Sequence, residues 1–145
     1  MHNFCYPAAL TPERRGGGFV VAFRDVPEAI TQGENLTDAL LQAADCLEEA
    51  VAGRIRRGDV IPPPSRPAKG ERMVPVPAVT TAKAALYVAI RQAKISKVQL
   101  AARLGCDEKQ VRRLLDPRHA SKLPQLQSAL AALGKQIVIQ VQDAA

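Results

Sequence analysis

Apolar and polar residues alternate with a period of two in the first part of the chain, which predicts strands. The segments that fit are residues 2–10 and 18–27, with shorter strands around 29–32 and 72–77. Pro7 cannot donate a ladder hydrogen bond, so it predicts that the first strand lies at a sheet edge or stops there. The turn before the second strand carries three glycines, but no phosphate-binding pattern follows them.

A helical period replaces this alternation from about residue 38 to residue 57. Thr37 is predicted to cap the start of this helix, and Gly58 to end it. A helix of this length should cover one face of the small sheet, which would otherwise expose its apolar side. Its apolar residues recur every three or four positions and form one stripe: Leu36, Leu40, Ala43, Leu47, Val51 and Ile55.

The second half of the chain is mainly helical by the same criterion. Helices are predicted over 82–93, capped by Thr80 or Thr81, and over 122–133. Residues 135–142 then alternate again and predict a strand, with Ile137, Ile139 and Val141 on one face. A lone strand after helices needs a partner, and a second copy across a two-fold axis would supply one. Pairing within the chain is the alternative.

Between these helices, residues 96–115 predict a helix, a three-residue turn and a second helix. Gly105 ends the first helix, and Ser96 and Asp107 are positioned as N-caps. This arrangement is typical of a helix-turn-helix that reads DNA. The alternative is an ordinary helical hairpin with a solvated basic face. The predicted buried residues are Val98, Ala101 and Leu104 on the first helix and Val111, Leu114 and Leu115 on the second.

The distribution of charge strengthens the DNA-binding interpretation. The chain has 145 residues and a formal net charge of +6. Residues 1–80 carry 9 Lys/Arg and 10 Asp/Glu, a net charge of −1, whereas residues 81–145 carry 11 and 4, a net charge of +7. Excess positive charge in the half with the helix-turn-helix pattern is expected of a DNA-binding module. The proline-rich segment 59–70 contributes no regular structure.

Other chemistry finds little support in the sequence. His2 and His119 have no partners at metal-ligand spacing, so no metal site and no cofactor are predicted. Cys106 is interpreted as a small packed side chain in the turn. Three scattered cysteines, no membrane-spanning run and no secretory signal favour reduced thiols in the cytoplasm.

The chain resembles the HicB family of antitoxins almost from end to end. The resemblance rests on Tyr6-Pro7, on the Gly17–Pro27 strand, on Ala29–Glu34 leading into the long helix, and on the Pro62–Ser65 and Val74–Pro77 segments. Val111–His119 also fits. The resemblance implies an α+β fold: a partial ribonuclease-H-like β-β-β-α-β domain (1–79) and a small helix-turn-helix domain ending in a strand (80–145).

The resemblance also implies two partners: a HicA-type RNA-cleaving toxin bound by the first domain, and double-stranded operator DNA of its own operon bound by the second. No catalysis is expected, because two-metal nuclease chemistry needs converging carboxylates and Asp25 stands alone after its strand. The expected DNA-contacting residues are Lys97, Glu108, Lys109, Gln110, Arg112, Arg113 and Lys122. Acidic candidates for the toxin surface are Asp25, Glu28, Glu34, Asp38, Asp45, Glu48 and Glu49.

Three functions of different class remain open at this point. The first is an antitoxin that also represses its own operon as a dimer or higher oligomer. The second is a stand-alone helix-turn-helix repressor whose N-terminal domain senses a small molecule, and the third is a degenerate nuclease. A neighbouring gene for a short, basic, histidine-containing protein would favour the first.

Overall fold

The structure, a computed structural model, describes residues 3–144, so His2 at the start of the first predicted strand lies outside it. Within that range the fold is α+β, as predicted, with the β-β-β-α-β order followed by helices. The strands are β1 (Cys5–Pro12), β2 (Phe19–Phe23), β3 (Ile30–Gly33) and β4 (Arg72–Pro75). The helices are α1 (Leu36–Arg57), α2 (Ala78–Ala93), α3 (Lys97–Leu104), α4 (Glu108–Leu115) and α5 (Leu123–Ala131).

The four strands form one antiparallel sheet in the order β3-β2-β1-β4. A strand that followed α1 directly would run parallel to β1. Residues 58–71 carry the chain back across the domain first, so β4 enters the sheet antiparallel to β1. Helix α1 covers one face of the sheet. The core between them contains Tyr6, Ala8, Val21, Phe23, Ala43, Leu47 and Val51.

Pro7 lies inside a central strand, so the prediction of an edge or a strand end is wrong. It pairs with Met73 of β4, whereas pairing with β2 starts only at Ala8. The backbone N–H and C=O of Phe4 face β4, as the bond from the Val76 N–H to the Phe4 carbonyl shows. By alternation the Pro7 nitrogen faces the β2 side, beyond the end of β2, where no ladder bond is lost.

Two helix starts differ from the prediction. Asn35, not Thr37, caps α1: its side chain accepts from the Asp38 N–H at 2.9 Å, while Asp38 accepts from the Glu34 N–H. Helix α2 begins at Ala78 after Pro77 and has no side-chain cap. Thr80 and Thr81 lie inside it and instead donate to the Glu48 carboxylate and the Val76 carbonyl.

The second half packs around α2, which contacts α1 as well as α4 and α5. Leu86, Leu100, Val111 and Leu126 are fully buried, and the apolar core continues from the sheet into these helices. On α3 the buried residues are Leu100 and Ala101, with Leu104 partly buried. Val98 is exposed, so its predicted place in the core is wrong.

The segment after α5 does not form a strand in the described part of the chain. Residues 135–144 have no ladder partner within residues 3–144, and Val138, Ile139 and Val141 are 76%, 70% and 91% exposed. Ile137 alone is partly buried against the core. Pairing within the chain is therefore not observed, and three aliphatic side chains stay in solvent.

Candidate nucleic-acid interface and partner surface

Helices α3 and α4 each begin at a side-chain cap. The Ser96 hydroxyl accepts from the Gln99 N–H at 3.1 Å, and the Ser96 N–H donates to the Gln99 side chain at 2.7 Å. Asp107 accepts from the Gln110 N–H at 2.9 Å. These bonds satisfy backbone donors that have no partner inside a helix, so both starts are fixed by local sequence.

The turn between these helices is short and tightly folded. Gly105 has φ 68°, a left-handed conformation that a Cβ atom would strain, and its neighbour Cys106 donates its backbone N–H to the Ala101 carbonyl at 3.1 Å. The Cys106 side chain is half-buried against the core. The turn therefore sets the angle at which α4 leaves α3.

Helix α4 separates its apolar and polar residues completely. Val111, Leu114 and Leu115 are buried, whereas every other residue of the helix is exposed. Arg112 lies 4.0 Å from the Glu108 carboxylate, a contact between two exposed groups that does not fix either side chain. Lys97 is in the first turn of α3 and Lys122 directly precedes α5, and both are exposed. All seven expected DNA-contacting side chains are thus accessible to a ligand.

The acidic candidates for a toxin surface divide into two groups, and four of them have partners. The Asp25 carboxylate accepts from the Ser65 N–H at 2.7 Å and from the Ser65 hydroxyl at 2.6 Å. Glu28 accepts from the Arg54 guanidinium at 2.7 and 2.9 Å, and this pairing lowers the pKa of Glu28. Asp38 and Glu48 accept the helix-start and Thr80 bonds described above.

Three candidates remain without a partner in the part of the chain that the structure describes: Glu34, Asp45 and Glu49. Asp45 and Glu49 are four residues apart on α1 and therefore share a face. Leu41, which is 63% exposed, lies four residues before Asp45 on the same face. We name Leu41, Asp45 and Glu49 the α1 outer face. It combines negative charge with an exposed aliphatic side chain.

The proline-rich segment is held to the sheet by polar bonds at several points. Besides Asp25–Ser65, the Tyr6 hydroxyl donates to the Pro62 carbonyl at 2.7 Å, and burial raises the pKa of Tyr6 to about 12. Arg24 bonds both Glu71 and the Arg66 carbonyl, and the Arg24 bond lowers the pKa of Glu71. Residues 62–71 are therefore a fixed part of the fold. The Asp25–Ser65 bond joins residues 40 apart, so it leaves no local pattern in the sequence.

Other reactive groups do not assemble into a site. Among residues 3–144 no three His, Cys, Asp or Glu side chains lie close enough together to hold a metal ion. Burial raises the pKa of Cys5 and of Cys46, which keeps both thiols protonated and weakly nucleophilic. In the same range, no helix is both long and apolar enough to cross a membrane.

The sheet unit and the exposed polar face of α4 give this α+β chain two surfaces on which a partner can bind. HicB-like antitoxins of bacterial toxin–antitoxin systems match residues 5–85. The chain therefore belongs to the family of HicB-like antitoxins, as its motifs predicted. Members of this family are regulatory antitoxins and not enzymes.

Relatives extend the similarity beyond the matched segment. Antitoxin HicB of Escherichia coli (strain K12) is 36% identical over 132 residues, which cover 91% of this chain and 95% of that protein. Antitoxin HicB 1 of Photorhabdus laumondii is 33% identical over 140 residues, or 97% and 88% of the two chains. Antitoxin HicB of Pseudomonas fluorescens (strain Pf0-1) is 31% identical over 137 residues, or 94% of each. The helical half is thus included.

Replacing Asp25 by Ala is expected to release the proline-rich segment. Trypsin cleavage after Lys69 should become about tenfold faster, because two hydrogen bonds to a charged group are lost and cleavage follows the local opening equilibrium. Asp45→Ala removes the same charge from the α1 outer face and should leave the cleavage rate unchanged. Time courses analysed by mass spectrometry measure both rates, and equal rates in the two variants would contradict the assignment.

Proposed function

We propose that this antitoxin neutralises a HicA-type RNA-cleaving toxin through residues 1–79 and represses its own operon through residues 80–145. The observation that carries the second role is the polar face of α4, which is capped, exposed and basic, on a helix whose opposite face is buried. A recognition helix needs this separation to enter the major groove. Both activities belong to the cytoplasm, where the transcripts and the operator are found.

The role of each helical residue follows from its place. Lys109, Gln110 and Arg113 on α4, together with Glu108, are assigned to base edges, and Arg112 to bases or phosphates. Lys97 and Lys122 at the flanking helix starts are assigned to phosphates, where a cation positions the protein without reading sequence. The net charge of +7 over residues 81–145 supports these contacts.

The α1 outer face is the surface that we assign to the toxin. Of the seven acidic candidates, three have no partner within residues 3–144, and two of these, Asp45 and Glu49, share a helix face with the exposed Leu41. An RNA-cleaving protein presents positive charge toward its substrate, so an acidic face with an exposed apolar residue at one end complements it. The paired residues Asp25, Glu28, Asp38 and Glu48 maintain the fold that supports this face.

The antitoxin role is tested by co-purifying the chain with the product of the adjacent gene and assaying RNA cleavage. A stable complex in which cleavage is silent supports the proposal, and Asp45→Lys/Glu49→Lys should then weaken the complex. Loss of cleavage inhibition should follow, because like charges would face each other. An adjacent product that neither binds the chain nor cleaves RNA would contradict the role and leave a stand-alone repressor.

The test uses a DNA duplex with the sequence that lies upstream of the chain's own operon, called the upstream duplex below. Replacing Arg113 by Ala is expected to weaken binding to this duplex by about 1–3 kcal/mol, the value of a bidentate contact to guanine. Lys97→Ala is the matched control, since a lost phosphate contact weakens binding to all sequences alike. Fluorescence anisotropy on upstream and scrambled duplexes at one salt concentration measures both. An equal loss on the two duplexes for Arg113→Ala would refute base reading.

The exposed C-terminal segment is assigned to a homodimer. Ile137, Ile139 and Val141 alternate on one face, and no strand within residues 3–144 pairs with them. A second copy of this segment, with both segments extended, would complete a two-stranded ladder across a two-fold axis.

The dimer is tested by placing a charge on this face. Ile139→Asp should shift the chain to monomer in sedimentation velocity, because the ladder would bury an unpaired carboxylate. Gln140→Asp makes the same charge change on the opposite face of the segment and should preserve the dimer. A monomeric wild-type chain, or a dimer that survives Ile139→Asp, would contradict the assignment.

A further inference from the structure

Lys83 is a buried cation in the middle of α2. Only 1% of its surface is exposed, and its ammonium donates to the Arg113 and Leu114 carbonyls at 3.1 Å each and to the Ser121 hydroxyl at 2.8 Å. An ammonium has three N–H groups, so all of its donors are used. Sequence analysis attached no role to this residue, because its partners lie some 30 residues further along the chain.

The two carbonyls belong to the last turn of α4, where a helix leaves its acceptors without intrahelical partners. A cation there also complements the negative end of the helix dipole. The Asp116 N–H caps α4 by bonding to the Arg112 and Arg113 carbonyls, and Lys83 of the neighbouring helix adds bonds to the Arg113 and Leu114 carbonyls. In residues 3–144 no carboxylate lies within ion-pair distance of Lys83. Burial lowers the pKa of its ammonium, and the negative charge of Asp116, directly after α4, opposes part of that shift.

A buried ammonium that forms no ion pair within residues 3–144 adds little to stability alone. An apolar side chain of similar volume often stabilises a fold as well or better, whereas a buried polar group can specify one arrangement of the elements around it. The bonds of Lys83 fix both the height of α4 along α2 and its rotation. The apolar side chains of Leu114 and Leu115 can pack against their neighbours in several arrangements of α4. Two carbonyls and a hydroxyl can bond to the same ammonium in only one arrangement of the helices.

We infer that Lys83 is a positioning residue for DNA reading: it sets the orientation of α4 on α2 without contacting DNA. This inference rests on the proposed operator function. We call the three hydrogen bonds of the Lys83 ammonium the Lys83 clamp. The Arg113 carbonyl belongs to this clamp and the Arg113 side chain is assigned to a base, so a shift of the clamp displaces that side chain directly. A small misplacement suffices to break a bidentate contact, whose geometry is narrow.

Replacing Lys83 by Met keeps the length of the side chain and removes the ammonium. Affinity for the upstream duplex should fall about tenfold or more, because hydrogen bonds from a charged group are lost. Affinity for a scrambled duplex should change little. Lys69→Met, which removes an exposed charge far along the chain from α4, is the control and should leave both affinities near wild type.

The salt dependence of binding separates positioning from direct contact. A lysine on a phosphate contributes about one unit to the slope of log affinity against log salt, so its loss lowers the slope by about one. Lys83→Met should leave the slope at the wild-type value. A reduced slope, or an equal loss of affinity on both duplexes, would overturn the inference.

Two further measurements decide the matter if Lys83→Met does not fold. Ser121→Ala removes one acceptor and leaves the ammonium, and it should reduce affinity for the upstream duplex alone, by less than the full effect. In the free protein, Ser121→Ala should also speed amide exchange in α4 while the sheet stays protected. If Ser121→Ala changes neither the affinity for the upstream duplex nor the amide exchange of α4, the positioning role of Lys83 is refuted. A wild-type chain that does not prefer the upstream duplex would instead refute the operator function.

Discussion

Helix α2 is bonded on two sides, and the placement of the candidate DNA surface depends on it. Toward α1, Thr80 donates to Glu48, and Tyr87 and Arg91 donate to the Asp59 and Gly58 carbonyls. Toward α4, the Lys83 ammonium donates to the last carbonyls of that helix. The apolar core is continuous across the same helix. A sheet unit and a helical unit that differ in charge are thereby held in one arrangement.

Carboxylates serve two purposes in the sheet unit, and hydrogen bonding to other parts of the chain distinguishes the two groups. Asp25 and Glu28 hold the segment after α1 and the end of α1 itself, because each accepts two hydrogen bonds from groups distant in sequence. Asp45 and Glu49 face solvent beside Leu41. Solvated charge attracts a partner over distance, and apolar surface gains by burial, so both properties support the proposed role of the α1 outer face in recognition.

Local signals predicted most elements but not long-range contacts, and the strand predicted over 135–142 is absent from the described residues. Ser96, Gly105 and Asp107 mark α3 and α4 because a cap bonds within three residues of itself. The prediction of Thr37 as the cap of α1 was wrong because Asn35 can make the same kind of bond two residues earlier. The prediction of Val98 as a core residue was wrong because a short helix offers two apolar stripes, and the one with Leu100 is buried. The roles of Asp25 and Lys83 depend on partners 40 and about 30 residues away, which no periodicity reveals. The proposed toxin, operator and second copy lie outside any single chain.

Amide hydrogen exchange of the chain alone, with its toxin and with the upstream duplex tests the division of labour most directly. The account predicts that the toxin protects α1 around Leu41 to Glu49 and leaves α4 unchanged, while the duplex protects residues 96–122 and leaves the sheet unchanged. Protection of α4 by the toxin, or of the sheet and α1 by the duplex, would contradict it.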